Sequence, residues 1–222
     1  MHLIFGASGS IGNNVCELFE KKNLKIQKIS STQEKENFIL VNSDNLYPLL
    51  QFQDKISGIV FCQGYNFNDT LETFDFEKYR KIMDGNLEYI LKVCSFLLKN
   101  DKLYDCKICI ISSIWEQYTR IGKLSYSISK SSLSGLTKSL AAELAEKNIL
   151  INNVLPGVIE NEMSLSTLSS SQLENVKNGT SFKRLIQLDD VSSIVYYLVV
   201  ENTGITGQSI KVDLGFTNLK KY

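Results

Sequence analysis

The chain has 222 residues, 43% apolar and 22% charged, with 24 basic and 24 acidic side chains that cancel. That length suits one well-buried domain or at most two small ones, and a zero net charge argues against a nucleic-acid or anionic-membrane surface. No apolar run approaches the roughly 18 residues that cross a bilayer, and Gly6 with its polar neighbours interrupts any signal-peptide layout, so a cytoplasmic protein is expected.

Short apolar runs alternate with longer amphipathic ones, the pattern of a parallel sheet covered by helices. A strand at Leu3–Phe5 runs into Gly6-Ala7-Ser8-Gly9-Ser10-Ile11-Gly12, and a helix is expected over Ile11–Lys22. A glycine-rich turn of this kind lets backbone N–H groups approach a pyrophosphate at the positive end of a helix. Gly6, Ser8, Ser10, Ile11 and Gly12 are therefore candidate cofactor contacts. The second strand, Lys25–Ile29, ends in Ser30-Ser31-Thr32. NAD binders usually place Asp or Glu there, roughly 20 residues beyond the loop, to hold the ribose 2′-hydroxyl. Here no acid stands ready to repel a 2′-phosphate, and three hydroxyls can donate to one. NADP is expected, with NAD left open; Lys35 is the closest cation.

A third strand at Phe38–Val41 precedes a helix at Leu46–Asp54 and a fourth strand at Gly58–Cys62. The aromatic-rich stretch Phe61–Phe76 reads as a packing cluster in preference to a substrate wall. A long helix, Phe76–Leu98, follows, and then a fifth strand, Lys107–Ser112. Cys106 and Cys109 form a CxxC, but positions three apart in a strand face opposite sides, so they read as free core thiols and no metal site is expected. His2, the single histidine, reads as a strand-start residue.

Ser113 closes the fifth strand, and 13 residues later Tyr126-Ser127-Ile128-Ser129-Lys130 opens a helix expected over Tyr126–Glu146. Positions i and i+4 share a helix face, so phenol and ammonium can serve one site. A tyrosine normally titrates near about 10, and an adjacent ammonium favours its phenolate. At this content of Tyr and Lys about one Tyr-x-x-x-Lys is expected by chance, so placement carries the weight. Ligand sites of open parallel sheets lie at the C-terminal ends of strands, where both the glycine turn and Ser113 fall. Arg120 and Lys123 precede Tyr126 in a loop that reads as a solvated rim, with attraction of an anionic substrate or carrier as the alternative. A sixth strand at Leu150–Leu155 leads into Pro156-Gly157. The polar stretch 163–184 reads as a lid or a disordered segment. A helix at Asp189–Glu201 and a strand at Ser209–Val212 complete one doubly wound α/β domain over 1–222.

Taken together, GASGSIG, Asn86 in Asp84-Gly85-Asn86-Leu87, Ile111-Ser112-Ser113, YSISK and Asn153-Val154-Leu155-Pro156-Gly157 resemble the short-chain dehydrogenase/reductases. The run Tyr126 to Leu144 is similar to the compact branch that includes 3-oxoacyl-acyl-carrier-protein reductases. The likeness extends to Arg184, Thr206-Gly207-Gln208 and Val212-Asp213. It implies a Rossmann fold with seven parallel strands between helices, and a hydride transfer from NADPH. It further implies that Tyr126 donates a proton to the substrate oxygen and that Lys130 lowers the Tyr126 pKa and holds the nicotinamide ribose. Ser113 would polarise the carbonyl, and Asn86 would position a relay water toward Lys130. Gly64 would line the cofactor, Asn42 would face adenine, and Pro156, Gly157 and Ile159 would cradle the carboxamide. A homodimer or homotetramer is also implied, pairing Phe76–Leu98 and Tyr126–Glu146 across a two-fold axis.

The chain departs from that pattern in places. Ser10 stands where the compact branch has glycine, and Gly6, Gly9 and Gly12 fit the extended, sugar-nucleotide branch instead. With about 65 residues after Gly157, there is no room for that branch's separate substrate domain, so the compact form is expected. Phe61-Cys62-Gln63-Gly64 keeps only the glycine of Asn-Asn-Ala-Gly, Asn42 replaces Asp, Asn161 replaces Thr, and Leu214 replaces Gly. Three readings follow. The first is an NADP-dependent reductase of a small ketone, with a 3-oxoacyl thioester as one form. The second is an oxidoreductase of a sugar, polyol or nucleotide-linked sugar. The third is an idle NADP-binding sensor, which retention of Tyr126 and Lys130 disfavours.

Overall fold

A computed structural model describes residues 1–32, 36–160, 164 and 169–218; Lys35, Asn161 and Met163 lie outside them. Seven strands form one parallel sheet in the order β3-β2-β1-β4-β5-β6-β7. They are β1 (His2–Phe5), β2 (Ile26–Ser30), β3 (Phe38–Leu40), β4 (Gly58–Phe61), β5 (Lys107–Ile111), β6 (Leu150–Pro156) and β7 (Ser209–Val212). Each strand falls within a residue or two of its expected run, because both faces of the sheet are covered and its apolar runs are nearly continuous.

Alternation of side chains across β1 divides the core. Leu3 and Phe5 join one apolar cluster with Phe61, Tyr89, Val93 and Leu133, while Ile4 joins the other with Val15, Phe19, Val60 and Val195. The α-helices among the described residues are α1 (Ser10–Lys21), α2 (Phe76–Met83), α3 (Tyr89–Lys99), α4 (Leu124–Glu143), α5 (Ser170–Gly179) and α6 (Leu188–Tyr196). Among the described residues, no helix is long and apolar enough to cross a membrane.

Four elements differ from expectation, the last being the helix expected over Asp189–Glu201, which is α-helical only to Tyr196 and π-helical over Tyr197–Glu201. Leu46–Asp54 is not an α-helix but a single 3-10 turn, Tyr47–Gln51, because Phe52 turns extended to bury its ring against the core. The long helix Phe76–Leu98 is broken by a π-helical stretch, Asp84–Glu88, between α2 and α3. Gly85 sits in that stretch, and a Cβ there would meet the Tyr65 ring at 2.5 Å, so the glycine is what lets the loop after β4 lie against the helix. The stretch expected as a lid or disordered contains a regular helix, α5. Its start is fixed by a capping box in which Ser169 accepts from the Gln172 N–H and the Gln172 side chain accepts from the Ser169 N–H.

The ends of the 163–184 excursion are clamped. Ile159 and Ile186 form a parallel bridge, with Glu160 N donating to Ile186 O at 2.8 Å. Arg184 is spent structurally: its guanidinium reaches Asp190 at 2.8 Å, and Asp190 also accepts from the Gln187 N–H at the start of α6. That pairing holds the Asp190 carboxyl below its usual range. The aromatic stretch divides: Phe61 is core, Tyr65 lines a cleft, and Phe74 and Phe76 pack ring on ring at 4.9 Å while Phe76 stays exposed.

Candidate active site

The strand order reverses between β1 and β4, and both strands end at the same edge of the sheet. This is where an open α/β sheet leaves a crevice. A cleft of about 840 Å³ opens there, a volume ordinary for a ligand site. Its walls are the turns that follow β1, β2, β4, β5 and β6, together with Gln172, Asn175 and Val176 of α5.

The glycine turn forms one end. Gly6 has φ +69, a left-handed conformation, and a Cβ there would sit 2.5 Å from Gln63 N. Gly12 packs its Cα face onto Gly6, where a Cβ would meet the Gly6 carbonyl carbon at 2.8 Å. Gly9 is different: its nearest neighbour would be 3.5 Å away, and its extended backbone serves as the N-cap of α1. That cap has no side-chain hydrogen bond and no acidic residue follows in the first turn, so the helix presents its first N–H groups to the cleft. Gly6, Ser8, Ser10 and Ile11 line it, while Gly12 lies behind, setting how closely α1 approaches the turn.

Farther along, Ser30, Ser31 and Thr32 line the cleft as expected, but not equivalently. Ser30 is buried and its hydroxyl accepts from the Thr32 N–H, which leaves Ser31 and Thr32 as the accessible hydroxyls. Asn42 also lines the cleft, with its Oδ1 committed to an Asx turn through Asp44 N and Asn45 N at 3.1 and 2.9 Å. Its amide nitrogen is thus the group left to meet a ligand.

The other end gathers the residues singled out around Tyr126. Ser113 sits just beyond β5 as the extended N-cap of the short 3-10 turn Ile114–Glu116, accepting from Trp115 N at 3.3 Å. Its hydroxyl is also hydrogen-bonded to the Tyr126 phenol, which lies in the first turn of α4. One turn later, Lys130 Nζ donates to Ile111 O at 3.0 Å and stands 5.7 Å from the Tyr126 ring centre. The cleft thus joins Ser113, Tyr126, Lys130, Gly64, Pro156, Gly157 and Ile159.

Asn86 is not in the cleft wall. Its Oδ1 accepts from Tyr65 N at 2.7 Å, and its two amide hydrogens go to Tyr65 O at 3.0 Å and Ser129 Oγ at 2.9 Å. The π-helical stretch that carries it aims the side chain at this loop, fixing Gly64 and Tyr65 over Lys130. A water held by Asn86 would have to donate to it, since both amide hydrogens are spent.

Electrostatics of the two central groups are set first by burial. The Tyr126 phenol is pushed up to about 12, with the Ser113 hydrogen bond pulling the other way. The Lys130 ammonium is pushed down to about 8, against the favourable charge of Glu116. The phenol is expected to be lowered by Lys130; here burial raises it, and the Ser113 hydrogen bond is the influence that opposes burial. Because unfolded lysine titrates near about 10.4, the unfolded chain binds the extra proton between about 8 and that value, and burial of Lys130 costs most at neutral pH. Lys130→Met, compared with wild type by urea unfolding, should accordingly lose relative stability as pH rises from 7 toward 10.5. A pH-independent difference would contradict the buried, depressed ammonium.

Four further features mark the site: three to which the sequence reading assigns no role, and Lys123, which it reads as part of a solvated rim. Glu116 is a buried carboxylate that accepts from Asn153 Nδ2 at 3.1 Å and from Ser209 Oγ at 2.5 Å, tying the turn after Ser113 to β6 and β7. Gln63 lines the cleft with both amide atoms buried and unpartnered, and the Ser112 hydroxyl is likewise buried and unpartnered. Polar groups so placed are normally satisfied, so a ligand rich in donors and acceptors suits this cleft. Lys123 is the fourth. It is 6% exposed, not on a solvated rim, and donates to Asn66 Oδ1 at 2.8 Å. No isolated sequence signal marks the burial of these four, since each depends on which neighbour the fold supplies. The five cysteines are free; burial pushes the Cys16 and Cys94 thiols up to about 12 and also raises Cys62, Cys106 and Cys109.

Comparison with known proteins gives consistent relatives. A family model described as enoyl-(acyl carrier protein) reductase matches residues 49–217. The 3-oxoacyl-acyl-carrier-protein reductase of Rickettsia typhi is 31% identical over 96% of this chain and 95% of its own length. A tropinone reductase homolog of Arabidopsis thaliana is 29% identical over 97% and 91%. The NADP-bound structure of ElxO superposes with a TM-score of 0.86 at 23% identity, covering 98% of both chains, a likeness of fold.

Proposed function

The chain belongs to the short-chain dehydrogenase/reductase family of oxidoreductases, and on that premise we propose that it reduces the carbonyl of a small substrate with NADPH, working in reverse as an alcohol dehydrogenase. The observation that carries this reading is the convergence of Ser113, Tyr126 and Lys130 in one cleft with the glycine turn. The cleft suits the cofactor: Gly6 leaves room for close backbone approach, α1 offers free N–H groups, and Gln63 and Ser112 hold polar atoms without protein partners. Ser31 and Thr32 with no nearby acid at the end of β2 support NADP over NAD, as does NADP in the ElxO structure.

When bound, NADPH supplies the hydride that reaches the carbonyl carbon. The Ser113 hydroxyl then donates to the carbonyl oxygen and holds it against the phenol. Tyr126 gives its proton to that oxygen as charge develops there, and its raised pKa means the acid is fully loaded at neutral pH. Lys130 provides positive charge beside the ring, favouring the phenolate left behind, and Glu116 favours the charged form of Lys130. Asn86 acts as the brace that keeps Gly64 and Tyr65 in place, with a donating water as its part in reloading the phenol through Lys130. Pro156, Gly157 and Ile159 hold the carboxamide end, and 163–184 serves as the lid of a unit spanning 1–222.

Relatives that act on 3-oxoacyl-carrier substrates support an oxoacyl compound as substrate class. NADPH oxidation followed at 340 nm (an absorbance of the cofactor) with a panel of short ketones and oxoacyl thioesters tests the reading. Turnover with NADPH and a lower Kd for NADPH than for NADH are expected; tighter NADH binding would overturn the assignment of Ser31 and Thr32. A homo-oligomer is proposed on the partly exposed apolar side chains Leu91 of α3 and Ile128 of α4. Light scattering should then return a multiple of 25.1 kDa.

A further inference from the structure

The charge distribution within the cleft is uneven. Its acids, Asp44 and Asp84, lie at the Asn42 end, and Asp84 is engaged with Ser43 at 3.2 Å and Lys92 at 2.9 Å. Around Tyr126 the lining carries Lys123, Lys130 and Arg120 and, among the described residues, no carboxylate. Lys123 and Lys130 flank the phenol, their ammonium groups 5.3 and 5.7 Å from the ring centre. Lys130 is accounted for by Ile111 O and by its place in the mechanism.

Lys123 is not. It is one of the few buried ammoniums in the chain, and its single hydrogen bond goes to a neutral amide, Asn66 Oδ1. An ammonium has three donors, so two remain without a partner among the described residues. Asp69, the acid near it among the described residues, is itself buried and committed to Ser125, accepting from its N–H at 3.0 Å and from its hydroxyl. Burial and the Arg120 charge together push Lys123 down to about 8, which is the cost of a cation held without a counter-ion. Arg120 lies over the Trp115 ring at 5.9 Å and adds a second positive group to the same wall. To the same cleft α5 contributes the polar Gln172 and Asn175 beside the apolar Val176.

We propose that this end of the cleft is built for a carbonyl compound bearing a carboxylate close to the carbonyl, an oxo acid, with the carboxylate held by Lys123 and drawn in by Arg120. The proposal rests on the reductase reading above and narrows its substrate class. The anion completes the Lys123 ammonium and leaves the carbonyl beside Ser113 and Tyr126, since Lys123 adjoins the phenol itself. A phosphate on a carrier arm is a second source of negative charge, but it lies many bonds from the thioester carbonyl, too far to meet a group that touches Tyr126. Lys123 is in this view a specificity determinant, not a proton donor.

The test compares pyruvate, acetoacetate and levulinate, each against its methyl ester, in NADPH oxidation by wild type, Lys123→Met and Lys123→Arg. For at least one pair the acid should exceed the ester in kcat/KM by tenfold or more. That ratio should fall at least tenfold in Lys123→Met and largely return in Lys123→Arg. Turnover of esters with no preference for any acid, or a ratio unchanged in Lys123→Met, overturns the oxo-acid assignment and leaves the reductase reading standing. Acetoacetyl-phosphopantetheine against acetoacetyl-pantetheine gives the other source: a phosphate preference abolished in Lys123→Met would overturn the carboxylate in favour of the arm. Calorimetry of butyrate and butyramide on NADP⁺-loaded protein decides the matter without turnover. Tenfold tighter butyrate binding that depends on Lys123 supports the proposal even if every ketone fails, and equal binding of acid and amide overturns it.

Discussion

Tyr126→Phe should lower kcat for ketone reduction by about 1,000-fold while leaving the Kd for NADPH within about threefold, as read by stopped-flow absorbance and by titration of cofactor fluorescence. The substitution removes one hydroxyl from a ring that is otherwise packed between Lys123 and Lys130. It takes away the acid and leaves the cofactor end of the cleft, at Gly6 and Ser31, unchanged. Ser113 loses its phenol partner but still accepts from Trp115 N, so the turn after β5 keeps its cap. The depth of the effect follows from chemistry: without a positioned donor the carbonyl oxygen must take its proton from unpositioned water. If the phenylalanine variant turned over the best ketone as fast as wild type, the assignment of Tyr126 would be wrong.

A second large effect is expected at Gly12. Gly12→Ala places a methyl against the Gly6 carbonyl and within 2.9 Å of Ala7 Cα, all backbone, so no side chain can swing aside. Either α1 moves away from the turn or the turn opens. Overpacking of this kind costs about 1–3 kcal/mol, and here the displaced atoms belong to the turn that lines the cleft. Denaturant unfolding should show that loss, and NADPH binding should weaken by at least tenfold. Gly9→Ala is the internal comparison, since its Cβ would meet nothing nearer than 3.5 Å and its backbone is extended. Its stability should stay within about 1 kcal/mol of wild type, the size of an N-cap effect. Equal destabilisation by the two alanines would refute the packing account of the turn.

The contrast between these glycines also bears on the two readings of GASGSIG. Gly6 and Gly12 are required by close backbone contact, whereas Gly9 caps the helix and tolerates a side chain. The spacing of all three mimics the extended branch, yet only two are held there by sterics. Ser10, at the position where the compact branch has glycine, lies exposed at the cleft with no clash to relieve. Its presence is compatible with the compact arrangement of β5, α4 and β6 that follows.

Strand positions, the order of β1 and α1, and the grouping of Ser113, Tyr126 and Lys130 were legible because each rests on local periodicity or on short spacings along one element. The i,i+4 relation of Tyr126 and Lys130 is a property of any helix. The Leu46–Asp54 helix was misread because its apolar spacing is satisfied equally by one 3-10 turn followed by burial of Phe52. The α5 helix was missed because its apolar face is slight and its capping box was masked by a serine-rich run. Asn86 was placed correctly in sequence, but its hydrogen bonds to Tyr65 depend on a π-helical turn that no periodicity announces.

By itself, the sequence determined the layered α/β class, the glycine turn between β1 and α1 and the grouping of Ser113, Tyr126 and Lys130, since these depend on residue type and near-neighbour spacing. The tertiary structure alone decided how burial weighs on the site. It pushes the phenol up and Lys130 down, sets Glu116 behind the lysine, spends Asn86 on a loop, and moves Lys123 from an expected solvated rim into the cleft wall. Those outcomes turn on contacts between residues far apart in the chain, and desolvation, unlike helical spacing, is a property of the neighbours a side chain meets only once the fold is closed.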